Sequence, residues 1–108
     1  MDAPELLRRY CINDPRLAEH HDLSPTMQLD WRTTTLMRIA ALIAVSAPEA
    51  SMRTAVDDAI VAGVSSDEII AVLDDLVRIV GLPRAVAEAP RIALALGYAD
   101  DLGIGEGD

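Results

Sequence analysis

His20 and His21 are the only histidines of the sequence, and imidazole is the side chain whose ordinary pKa lies near neutrality. Either can serve as a general acid or base if it overhangs a pocket. An exposed pair at a frayed helix end is the plainer reading. Neighbouring helix positions point about 100° apart, and no acid stands at ligand spacing from them, so no metal site is expected. Arg53 carries a planar fork able to clamp a carboxylate. It also stands four residues before Asp57, the spacing of an ordinary surface ion pair. Thr33, Thr34 and Thr35 bring hydroxyls to a helix start, where such groups either meet a ligand or satisfy the backbone. Asp57 and Asp58 are adjacent and cannot converge as a catalytic carboxylate pair. Cys11, the single cysteine, reads as a small buried hydrophobe, and Trp31 as a packing anchor.

Composition narrows the chemistry further. All nine basic residues are Arg, so Schiff-base lysines and phosphate-loop lysines are excluded. The net charge of −9 repels phosphate backbones, and nucleic acid is not an expected partner. The GIGEG run near the end has no strand before it and no helix after it, so it is no phosphate cradle. No cofactor is expected. A lone cysteine forms no intrachain disulfide and suits a reducing compartment. The opening MDAPELLRRY lacks an apolar signal core, and the longest apolar run, 39–45, is too short for a bilayer. A cytoplasmic, membrane-free protein is expected.

The elements that must position these residues are punctuated by caps. Asp2 and Glu5 suggest a capping box opening a short helix through Tyr10. Asp14-Pro15 starts another turn or two, ending near His21. Helices are expected over 31–47, from Pro48 to Ala62, over 66–80 behind the Ser65–Glu68 box, and from Pro83 to Gly97. Pro90 should kink the last one. No stretch alternates with period two, so the fold class is all-α: a bundle of about five to six short helices. One domain over 1–98 is expected, followed by an acidic, Gly-rich tail over 99–108.

Hydrophobic periodicity assigns faces. Ile69, Val72, Leu73, Leu76, Ile79 and Val80 share one side of the 66–80 helix. Met52, Val56, Ala59 and Ile60 point inward from the preceding helix. From Ile39 onward the 31–47 helix is apolar all round, which demands a central position or a subunit interface. With 51% apolar residues, only 3% aromatic, and a mean hydropathy of +0.22, so small a chain has more apolar surface than it can bury alone. A homo-oligomer is expected.

Three stretches in order carry a family resemblance: LDWRTTTLMRIAALIAVSA (29–47), MRTAVDDAIVAGVSSDEIIAVL (52–73) and IVGLPRAVAEA (79–89). They resemble the carboxymuconolactone decarboxylase-like family: its Leu-Asp-x-(Arg/Lys)-Thr helix start, its Ala-Gly-(Val/Ala)-(Thr/Ser)-x-x-Glu-Ile helix–turn–helix, and its Gly-x-Pro turn. The resemblance covers roughly 29–96 and implies the alkylhydroperoxidase D-like fold, assembled as homo-trimers or hexamers with pockets near the subunit contacts. The family's redox cysteines fall at about Pro48 and Ser51, its histidine at Ala55 and its glutamate at Thr35, so none of that apparatus is kept. Serine does not replace a thiolate nucleophile. Arg53 stands where members often carry Arg, which makes Arg53 and Thr35 the candidate substrate-binding residues and His20 and His21 the candidate catalytic ones. The implied function is non-redox acid–base chemistry, of lyase or decarboxylase type, on a small anionic carboxylate or lactone. The alternative is a catalytically silent ligand-binding or structural subunit.

Overall fold

Helix ends in this protein are set by local capping chemistry, and most fall where the cap residues stand. The computed structural model describes residues 2–19 and 29–98; the tail expected over 99–108 lies outside them. Among the described residues all regular structure is helical, with no strand. The chain divides into two compact units, Met1–Asp30 and Trp31–Asp108.

The first unit contains α1 (Ala3–Cys11) and a helical turn from Leu17. Asp2 caps α1 by accepting the Glu5 N–H at 2.9 Å. Glu5 does not complete the expected box. Its carboxylate accepts from Arg8 at 2.8 and 2.9 Å and from Arg9 at 3.4 Å, because i,i+3 and i,i+4 cations lie closer than its own helix start. Asn13, at φ +53°, ends the helix in a left-handed residue. Asp14 then caps the next turn, accepting both the Arg16 N–H at 2.9 Å and its guanidinium at 2.6 Å. Cys11 is exposed, contrary to its reading as a core residue: α1 buries no side chain.

The second unit holds α2 (Trp31–Ala44), α3 (Glu49–Val61), α4 (Ser66–Val80) and α5 (Leu82–Leu96). Helix α2 packs on α3 and α4, and α5 packs on the same two and, less extensively, on α2. Ile39, Ile43, Met52, Val56, Ile69 and Ile92 fill the centre. Ala55, Ala59 and Ala85 are buried where helices meet, and their small side chains let the backbones approach. Ser65 and Glu68 form the full expected box, at 3.1 Å each way. Helix α2 stops three residues earlier than expected because Ser46 adopts φ +53° and the Ala47 N–H turns back to the Leu42 carbonyl at 3.0 Å. This is a glycine-type helix stop made without glycine. Helix α5 runs through Pro90. Pro90 and Val86 are both exposed, so the carbonyl that loses its partner faces water.

Three faces differ from their periodicity. Ile79 is 79% and Ile60 46% exposed, because each neighbour covers less than the full apolar arc. Helix α2 is not buried on every side: Ile39 and Ile43 are in the core, whereas Ala41, Ala44 and Val45 are exposed.

A single residue, Gly81, joins α4 to α5 at φ +89°, ψ 155°, a backbone region nearly closed to other residues. A Cβ there would meet nothing closer than Pro83 Cδ at 3.8 Å, so the cost of a side chain is torsional. Gly81→Ala should lower the unfolding free energy by about 1–3 kcal/mol in urea titration; an unchanged midpoint would show that the turn relaxes freely. In the first unit, the hydrogen bonds from Arg8 and Arg16 hold the Glu5 and Asp14 carboxyls down at about 2. Their pairing therefore stabilises the folded form fully above about pH 5 and is lost as the pH falls towards 2. NMR titration should show the Glu5 and Asp14 carboxyls with midpoints near 2 and α1 amide shifts moving with them. Midpoints near 4 would mean the pairs do not persist in solution.

Candidate functional site

Helices α2 and α3 border an open, shallow recess of about 390 Å³ lined by Arg38, Leu42, Ala50, Ser51, Thr54 and Ala55. The Arg38 guanidinium donates to Asp58 Oδ2 at 2.8 Å and lies 5.5 Å from the centre of the Trp31 ring. A carboxylate on one side and an aromatic face on the other fix this cation at the rim. Ser51, in the first turn of α3, brings a hydroxyl beside the helix N-terminus, where backbone N–H groups favour negative charge. The Thr54 hydroxyl donates to the Ala50 carbonyl at 3.1 Å. One fixed cation, the Ser51 hydroxyl and an apolar wall suit a small carboxylate. Among the residues lining the recess there is no thiol, imidazole or carboxylate to carry out chemistry on it.

The residues singled out from sequence lie elsewhere. Thr35 is fully buried, and its hydroxyl donates to the Arg32 carbonyl at 2.8 Å, serving the backbone. Arg53 is exposed and pairs with Glu49 at 3.3 Å rather than with Asp57; an acid placed four residues before a base is the better helical orientation. Neither Thr35 nor Arg53 lines the recess. His20 and His21 lie outside the described residues. Arg38 was not anticipated, although its spacing from Trp31, two turns along one helix face, is a readable signal. Among the described residues no three His, Cys, Asp or Glu side chains cluster as a metal site.

A second polar group lies on α5. Glu88 is 2% exposed, and its Oε2 accepts no hydrogen bond. Arg91 Nη1 stands 3.7 Å from that oxygen and donates to the Ala47 carbonyl. Two turns earlier, Arg84 donates to the Ser46 hydroxyl. These two arginines fasten α5 to the stop of α2. Glu88 was also missed, yet it is the only acid of α5 and shares a face with Ala85 and Ile92, both buried.

Compared with family models, curated proteins and solved structures, the chain matches none.

Breaking a buried ion pair by removing one partner strands the other charge, at about 3–5 kcal/mol. Arg91 is part-exposed, so Arg91→Ala should fall at the lower end, about 3 kcal/mol. Adding Glu88→Leu should restore most of that loss in a double-mutant cycle. Equal stability of the single and double variants would show that the carboxylate does not depend on Arg91.

Proposed function

We propose that this chain is a divergent carboxymuconolactone decarboxylase-like protein with the alkylhydroperoxidase D-like fold, working as a catalytically silent subunit that self-associates. The observation that carries this reading is the uncovered apolar side of α2. Met37 is 55% and Val45 69% exposed, and with Ala41 and Ala44 they form one stripe at helical spacing. A solvated helix does not keep such a stripe free of charge over about two turns and its C-terminal end; one that meets a second subunit does. The motifs of residues 29–96 support the family scaffold. The α2–α3 recess supports the silence, because Ser51 and Ala55 stand in it where the resemblance puts a cysteine and a histidine. Trimers or hexamers are the expected assemblies.

Light scattering at micromolar concentration should report an oligomer, and Val45→Glu should weaken its association by roughly tenfold or more. A monomeric wild type would overturn the reading.

A second reading is favoured by Arg38: a binder of a small carboxylate or lactone, or a lyase acting on one. A cation held by Asp58 and Trp31 beside the Ser51 hydroxyl is pre-arranged for an anion. Calorimetric titration of small carboxylates should then show binding that Arg38→Met weakens by roughly 10–100-fold. Arg53→Ala should change it by no more than about twofold, the worth of an exposed i,i+4 pair. The reverse pattern would place the anion site at Arg53, and no binding at all would leave the silent subunit alone.

A further inference from the structure

Helix α1 places Ala3, Leu6, Leu7, Tyr10 and Cys11 at i, i+3, i+4, i+7 and i+8, a single apolar stripe. No residue of α1 is buried, and Leu7 is 65% and Tyr10 49% exposed. Nine residues are too few to hold a helix in water by backbone bonds alone. Such a helix is completed by a surface that takes its stripe.

The second unit carries a groove of matching form. Helices α4 and α5 diverge from Gly81 and leave an open channel of about 560 Å³, walled by Ile70, Ala71, Val77, Leu82, Val86 and Ala89. Its α4 wall runs from Asp67 to Val77, roughly 15 Å at about 1.5 Å per residue, and α1 spans roughly 13 Å. Asp67 and Asp74 are the charged residues lining the groove. Two such grooves placed face to face would repel. Helix α1 instead brings Arg8 and Arg9, two cations sharing the single carboxylate of Glu5. The helix and the groove belong to separate compact units of the chain.

We propose that α1 of one copy docks in the α4–α5 groove of a second copy, its stripe against the apolar walls and its flanking arginines, Arg9 at one edge of the stripe and Arg8 at the other, at the groove's rim, so that one of them reaches the wall carrying Asp67 and Asp74. This rests on the self-association proposed above and names one of its interfaces.

Leu7→Glu and Val86→Glu test it at exposed positions, where each full-length chain should keep the wild-type helical circular dichroism. Each should raise the dissociation constant at least tenfold by light scattering or sedimentation. Charge reversal distinguishes the partners. A chain with Arg8→Glu and Arg9→Glu, and another with Asp67→Arg and Asp74→Arg, should each associate weakly alone, and mixing the two should restore association. A wild-type oligomer unaffected by Leu7→Glu and Val86→Glu would overturn this docking and leave self-association standing, whereas a wild-type monomer would overturn both. Hydrogen-exchange protection of α1 that is the same in dilute monomer as in oligomer would mean the helix docks within its own chain, and that too would overturn the proposal.

Discussion

Four helices of 13 to 15 residues can give one another only a narrow interior, and this constraint shapes everything else in the second unit. Each helix buries one side, around Ile39, Ile43, Met52, Val56, Ile69 and Ile92. With no Phe in the sequence, the interior is filled by Ile, Val, Leu, Met and Ala. Small side chains bring backbones together but cover little of a neighbour's flank. Apolar residues on those flanks, such as Val45, Val61 and Ile79, are consequently left outside. The groove between α4 and α5 and the stripe on α2 are both products of this shortage.

Polar contacts hold the short helices in place, and arginine makes nearly all of them. Arg32 reaches Glu68 across α2 and α4, Arg38 reaches Asp58 across α2 and α3, and Arg84 and Arg91 reach the Ser46–Ala47 turn from α5. Each of these bonds spans two elements, which exposed i,i+4 pairs such as Arg53–Glu49 do not. This matters for function as well as for stability. A guanidinium already used between helices is fixed in direction, and at Arg38 it borders a recess. Elsewhere, at Arg84 and Arg91, it is directed to the turn that ends α2 and supports architecture instead.

Helix ends were legible in the sequence because their chemistry is local. The Ser65–Glu68 box, Pro48 and Gly81 each stand at a boundary they can produce unaided. Ser46 shows the limit: its left-handed backbone is sustained in company with Arg84, a residue 38 positions away, and no local pattern reports that. The same limit applies to the candidate site. Arg53 looked suitable by type and position, but a nearby acid at the better spacing takes its charge. Glu88 looked unremarkable, yet its helix phase puts it inside with Ala85 and Ile92. Periodicity gives the direction a side chain points; it does not give how far the neighbour extends, and Ile60 and Ile79 are exposed for that reason.

Charge and apolar surface pull in opposite directions on assembly. A chain of net charge −9 repels its own copies, and within about 8 Å at physiological salt that repulsion is little screened. Association then depends on surfaces where acids are absent or answered. The α2 stripe of Met37, Ala41, Ala44 and Val45 has none. The α4–α5 groove has Asp67 and Asp74, and among the described residues of the first unit Arg8 and Arg9 are the cations best placed on an apolar helix to answer them. A surface acidic overall but neutral or basic at its contacts discourages indiscriminate aggregation while permitting a defined one.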